Sequence, residues 1–168
     1  PSLVAEAFAT DAKPVEPSEL TLGEYLVHID GIASIEAPRI IIKSSIDGVR
    51  GLRALLEGLV LFAIEPTEES LRLVTFNNRV TPFGPIPTDE ARQLLTQWLT
   101  AISDRGTPCP LIAPLALKTA RALAKEDEAN TWIHWSDETL AHHPEYQRVF
   151  QNDPRISEKH VDLVRNLV

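Results

Sequence analysis

The feature of the sequence that most restricts its fold is a helical apolar pattern set between two segments of strand character. From Val49 to Ala63, apolar residues recur at the spacing of one helix face. The segments Arg39 to Ser45 and Ser70 to Phe76, on either side, are rich in β-branched and apolar residues, which is typical of strands. We therefore expect a helix that covers a small sheet.

Other patterns extend this unit in both directions. Tyr25 to Ile32 is a further strand candidate, and the six residues between it and Arg39 include Pro38, which predicts that these two segments form a strand pair. Later helices are predicted from the Thr88 cap to Ile102, from Leu115 to Lys125 and from Ser157 to Leu167, with short elements at Trp132 to Trp135 and Tyr146 to Phe150. The order predicts an α/β or α+β fold, with a small mixed sheet flanked by helices.

Length and composition favour one folded domain. The chain has 168 residues, of which 43% are hydrophobic and 24% charged, close to the globular average. Residues 1–20 hold three prolines and little periodicity, so we expect a lead-in arm there and a single domain from 21 to 168. The absence of methionine, even at position 1, indicates a fragment of a longer protein.

The charge and cysteine content restrict the surroundings of the chain. A net charge of −8 predicts that the surface as a whole repels a phosphate backbone, so any contact with nucleic acid must be local. Cys109 is the single cysteine and cannot form an internal disulfide, so we expect it to be a small packing residue. No stretch has the length and apolarity of a signal peptide or membrane span, which predicts a cytoplasmic protein without membrane contact.

The predicted strand pair has the outline of a nuclease metal centre. Many nucleases place one acid on a strand and an acid-x-lysine on its neighbour, because two carboxylates hold Mg²⁺ while the lysine orients the attacking water. Asp30 supplies the first acid. If Lys43 is the lysine, its acid partner is Ile41; if Lys43 occupies the acid position, the lysine position is Ser45 and a positive charge lies where Mg²⁺ would bind. Both registers lack a carboxylate, which predicts a degenerate site with no metal, no cofactor and no catalysis by this domain.

Two other functions stay open at this point. The first is an active Mg²⁺-dependent nuclease, in which Asp30 works with an acid from elsewhere, such as Glu24, Glu36 or Asp47. The second is an interaction module unrelated to DNA. The first requires two carboxylates and a lysine to converge in a cleft. A surface without any positive patch, and a gene neighbourhood without a helicase, would favour the second.

The most basic part of the sequence lies at the predicted strand-to-helix junction. It contains Arg39, Lys43, Arg50 and Arg53 against the single acid Asp47. Such a group of charges can bind the phosphates of a passing DNA strand, although a solvated surface has the same composition. No aromatic residues alternate with these bases, as they do in platforms for single strands.

The histidines and the remaining motifs give no self-contained active site. A metal site can be assembled on paper from His134, His142, His143, Asp137, Glu138 and Glu145, but their spacing matches no usual metal motif. We expect His142 and His143 to decorate a loop or to pack on Trp135. Serine-hydrolase, phosphate-loop and dinucleotide-binding signatures are absent from the sequence.

Four segments carry a resemblance to a known family. They are "ELTLGEYLVHIDGIA", "GVRGLRALLEGLVLFA", "IPTDEARQLLTQWLTAISDRGTPCPLIAPLALKTARALA" and "HPEYQRVF", and they cover most of residues 19 to 150. In order and spacing the chain resembles the C-terminal domain of the gamma subunit of exodeoxyribonuclease V, the RecC family. The third segment is the most specific, with a Pro-x-x-x-Ala start, a helix that bears leucine and tryptophan, and a Gly-x-x-x-Pro-Leu stretch before an alanine-rich helix.

The resemblance implies a non-enzymatic role in a DNA-repair complex. It implies a fold like the restriction-endonuclease-like, PD-(D/E)xK nuclease domain of the partner RecB subunit, without the catalytic residues. Such a subunit holds the RecB-like and RecD-like helicase subunits together, helps to split the duplex, guides the separated strands and contributes to recognising the recombination hotspot. We expect the apolar helix faces that the core does not use, around Leu56 to Phe62 or on the last helix, to contact those subunits. The chain departs from the family at Val27-His28, where members often carry Gly-Arg.

Overall fold

The computed structural model describes residues 12–14, 16–30, 33–35, 40–43, 49–75, 79–103, 109–126, 131–134, 136–150 and 154–167. Its strands are β1 (Ala12–Pro14), β2 (Ser18–Leu22), β3 (Tyr25–Ile29), β4 (Ala33–Ile35), β5 (Ile40–Lys43), β6 (Leu71–Thr75), β7 (Val80–Phe83), β8 (Thr131–Trp132) and β9 (Arg155–Ile156). Its helices are α1 (Val49–Ile64), α2 (Thr88–Ser103), a 3₁₀ turn (Pro110–Ile112), α3 (Pro114–Glu126), α4 (Asp137–His142), α5 (Glu145–Val149) and α6 (Glu158–Arg165). Small sheets combined with helices confirm the predicted α+β class.

The chain divides into two compact units. The first is Pro1–Gln97 and the second is Trp98–Val168, so the division falls inside α2. In the first unit, β1 and the start of β2 lie within residues 1–20, where the sequence predicts a lead-in arm. None of the helices in the described ranges is long and apolar enough to cross a membrane.

A strand-helix-strand arrangement organises the first unit. Strands β5 and β6 are parallel, with Ile41 opposite Leu73 and Lys43 opposite Thr75, and β7 pairs antiparallel with β6. Parallel neighbours need a crossover connection, and α1 lies in the chain between them. The predicted helix and the two strands that flank it in sequence are therefore confirmed.

The predicted pairing of the Tyr25 to Ile32 strand with the Arg39 to Ser45 strand is wrong. Strand β3 pairs with β2, with Leu22 opposite Tyr25, and β5 pairs with β6. The partner of β3 is decided locally, because Gly23, at φ +60°, permits the two-residue turn that joins β2 to β3. For β5, the continuous apolar run is typical of a strand in a parallel pair.

Helix α1 packs closely on the sheet through a glycine. A Cβ added at Gly58 would lie 2.9 Å from a ring carbon of Phe83 and 3.0 Å from Leu71 Cδ1, so only glycine allows this approach without displacing either side chain. One turn later, Phe62 is fully buried, and its ring centroid is 5.9 Å from that of Phe83. The Arg92 Nε of α2 donates a hydrogen bond of 3.1 Å to the Ala63 carbonyl and satisfies an acceptor in the last turn of α1.

Helices supply most of the interior of the second unit. Helix α3 packs against α6, and the residues with at most 1% exposure include Leu111, Leu117, Ile156, Val161 and Val164. Cys109 is buried at the start of this unit, and burial raises the pKa of its thiol, which suits a packing role. Strands β8 and β9 pair as a short ladder, and α4 and α5 lie between these two strands in the chain.

Candidate nucleic-acid interface

The structure separates the positions of the degenerate metal centre. Asp30 is exposed and follows β3, whose partner is β2, whereas Ile41 and Lys43 lie on β5, whose partner is β6. Placing Asp30 on a strand paired with the Lys43 strand was therefore wrong. Ser45 lies outside the described residues. The residues opposite Ile41 and Lys43 are Leu73 and Thr75, and neither carries the negative charge that a hard cation requires.

Of the three acids considered as partners of Asp30 in an active nuclease, one lies within the described residues. Glu24 is exposed in the turn between β2 and β3, and Glu36 and Asp47 lie outside the described residues. Within the described ranges, no group of three or more histidine, cysteine, aspartate and glutamate side chains is arranged to hold a metal ion.

Three of the four predicted DNA-contact residues fall at one junction. Lys43 is the last residue of β5, and Arg50 and Arg53 lie in the first two turns of α1, where both are exposed. Arg39 lies outside the described residues. Five residues, 44–48, connect the end of β5 to the start of α1. Because this connection is short, the end of the strand and the start of the helix lie at the same edge of the sheet. We call Lys43, Arg50 and Arg53 the junction cluster.

The electrostatics of the junction cluster favour anions. Helix α1 has no acid in its first turn, so the partial positive charge at its amino end is not offset from within the helix. Arg53 Nε donates to Glu57 Oε1 at 2.8 Å, with the Arg53 side chain 77% exposed. An exposed pair at this spacing contributes only about 0.3–0.5 kcal/mol, so a phosphate can compete for Arg53.

The histidine segment forms a cleft in the second unit. The cleft measures about 330 Å³ and is lined by Leu115, Glu138, Thr139, His142, His143 and Tyr146. His143 Nδ1 lies 3.0 Å from Glu145 Oε1, and its ring stacks on Tyr146 with centroids 4.8 Å apart. A hydrogen bond from its own backbone N–H, and then one from His143, lower the pKa of Glu145. His142 and His143 are exposed, and Trp135 lies outside the described residues.

The sequence patterns did not single out His160, which occupies a specific buried environment. His160 is 4% exposed, and its Nδ1 accepts a 3.1 Å hydrogen bond from the Ser157 backbone N–H. Burial, and then the charge of Lys159, lower its pKa from 6.5 to about 4. The ring is therefore neutral at physiological pH and acts as an acceptor at the start of α6. A serine three residues before a polar side chain at a helix start is the signal that could have identified it.

Comparisons of the chain with protein-family models, with curated proteins and with solved structures gave no match.

Proposed function

We propose that this chain is a non-catalytic structural and DNA-guiding domain of a bacterial helicase-nuclease of the RecBCD type, which acts in the cytoplasm in double-strand-break repair and recombination. The junction cluster is the observation that carries the proposal. It puts Lys43, Arg50 and Arg53 at one edge of the sheet of a chain whose net charge is −8. Phosphates are bound by exposed cations such as Arg50 and Arg53, and by the amino ends of helices.

The restriction-endonuclease-like fold is part of the same proposal. The parallel β5 and β6, with α1 between them in the chain and α2 and α3 following, are compatible with a nuclease-like core that has lost its chemistry. Ile41 stands where an acid-x-lysine motif needs a carboxylate, and a single acid at Asp30 cannot offset the charge of Mg²⁺ as two carboxylates do. DNA bound at this edge is then positioned without being cut.

Other subunits of the helicase-nuclease are the proposed protein partners. Leu59 and Phe62 are fully buried, and Val161 and Val164 of α6 are at most 1% exposed, so these helix faces belong to the interior of their units. The expected docking faces are those that the core does not use, so these four side chains are not part of them. Side chains that remain exposed are Leu26, Val80, Ile102, Leu115, Trp132 and Val149.

The experiment that tests the proposal measures how the chain binds a labelled forked DNA at several salt concentrations by fluorescence anisotropy. Arg50→Ala and Arg53→Ala should each weaken binding and each lower the dependence of log K on log salt by about one phosphate contact. Glu57→Gln should strengthen binding, because it removes the carboxylate that pairs with Arg53.

A matched control lies in the second unit. Lys118 of α3 is exposed, so Lys118→Ala removes the same charge from a site outside the junction cluster and should leave the salt dependence unchanged. Equal losses in Lys118→Ala and Arg53→Ala would show that DNA responds only to net charge, and the proposed interface would then be abandoned.

A further inference from the structure

We infer that Trp132 and Arg155 form a contact site for single-stranded nucleic acid, in which a base stacks on the indole and the neighbouring phosphate pairs with the guanidinium. This inference rests on the proposed function and extends it to a second location, in the second unit. The two residues are direct partners across the β8–β9 ladder. Neither was among the residues predicted to contact DNA.

The ladder holds the two side chains on its outward face. Ile133, next to Trp132, is 3% exposed, and Ile156, next to Arg155, is completely buried. Because neighbouring residues of an extended chain point to opposite sides, these isoleucines anchor the inner side while Trp132 and Arg155 lie outside. The Ile133 N–H also donates a 2.9 Å hydrogen bond to the Pro154 carbonyl, which extends the ladder.

Trp132 is unusual among the described tryptophans. Trp132 is 57% exposed, whereas Trp98 is 4% exposed. The other large exposed apolar side chains of the described residues are leucine, isoleucine and valine, which have no ring face. Trp132 therefore offers a flat surface on which any base can stack, independently of sequence.

Charge identifies the partner as a nucleic acid. Directly opposite partners on one face of an antiparallel ladder have Cβ atoms about 4.5–5.5 Å apart, so the side chains of Trp132 and Arg155 leave the ladder at neighbouring points. Lys159, exposed in the first turn of α6, adds a second cation four residues later. A stacking ring beside a guanidinium matches a base and its phosphate, and this pairing of aromatic with basic groups is what the segment from Arg39 to Arg53 lacks.

The experiment titrates the whole chain with a short labelled oligothymidine. Trp132→Ala should weaken binding about tenfold, and Trp132→Phe should keep most of the affinity because a ring face remains. Arg155→Ala should weaken binding and lower the salt dependence by about 0.7, the value of one phosphate contact on a single strand. Leu26→Ala is the control, because Leu26 is 60% exposed, without a ring, and should change nothing.

A second measurement reports on the ring itself. The tryptophan emission of the wild-type chain should fall as oligothymidine binds, and most of this fall should disappear in Trp132→Phe. Wild-type affinity in Trp132→Ala, or an unchanged fall of emission in Trp132→Phe, would overturn the inference and leave Trp132 to a protein partner. The proposed function would fail separately, through unchanged binding of forked DNA by Arg50→Ala and Arg53→Ala.

Discussion

The two units each bury one polar side chain among their described residues, and the two side chains behave differently. Thr75 of β6, in the first unit, is 7% exposed and has no charge to gain, whereas His160 of α6, in the second, is 4% exposed and can take up a proton. The first unit depends on close packing of α1 against the sheet. The second holds a base whose protonation opposes folding. We therefore expect the stability of the first unit to depend on the shape of its side chains and that of the second unit to depend on pH.

The largest effect should come from removing the ring at the centre of the first unit. Phe62→Ala leaves a cavity where the side chain is fully buried against Phe83, and should lower the free energy of unfolding by about 3–5 kcal/mol. Urea denaturation followed by circular dichroism measures it. Leu26→Ala, at a position 60% exposed, is the control and should stay within about 0.5 kcal/mol of the wild type. A loss below about 1 kcal/mol in Phe62→Ala would contradict the close helix–sheet packing.

A smaller effect should appear in the second unit when the pH is lowered. The pKa of His160 falls from 6.5 to about 4 in the folded chain, so between these values the unfolded chain binds a proton that the folded chain does not. This contribution to stability is fully present above pH 6.5 and decreases as the pH falls towards 4, by roughly 3 kcal/mol in total.

The variant that isolates this effect is His160→Gln. Its side-chain oxygen can accept the Ser157 N–H but cannot titrate, so the decrease in stability attributable to this ring should be absent from urea denaturation curves measured across the same pH range. His142→Gln, at an exposed histidine, should keep the wild-type decrease. If the stability of His142→Gln and of His160→Gln decreases equally as the pH falls, the buried ring of His160 is not the cause of the decrease.

The smallest of these effects concerns the turn that decided the strand pairing. Gly23 has φ +60°, and an added Cβ would lie 3.3 Å from Thr96 Cγ2. Gly23→Ala should therefore lower the free energy of unfolding by about 1 kcal/mol, and Gly23→Asn by less, since asparagine tolerates this conformation better. Thermal unfolding compares the two variants. Equal stability of wild type and Gly23→Ala would show that the turn does not need a left-handed residue.

The four longest helices and strands β3, β5 and β6 could be predicted from sequence, but the pairing of β5 with β6 could not. Apolar spacing within α1 is local information, and its predicted start at Val49 agrees with the structure. The partner of β5 lies beyond a helix in the chain, and nothing within Arg39 to Ser45 specifies it. Closer attention to the Gly23-Glu24 turn would have predicted the β2–β3 hairpin and removed Asp30 from the β5 strand.

The candidate sites also differ in whether local sequence is enough to identify them. Arg50 and Arg53 were found from sequence because they are close in the chain and their charge is itself the signal. Trp132 and Arg155 were missed as a pair because 22 residues separate them and only the ladder brings them together. The Arg92 contact with the Ala63 carbonyl is another non-local contact of this kind.

The most direct test of the central claim, that the chain holds DNA without cutting it, is one reaction that follows binding and cleavage together. End-labelled forked DNA is incubated with the chain and Mg²⁺, and is then separated on native and denaturing gels. We expect a retarded complex that weakens in the Arg50→Ala, Arg53→Ala double variant, with DNA of unchanged length throughout. Shortening of the DNA that needs Mg²⁺ and disappears in Asp30→Ala would contradict it.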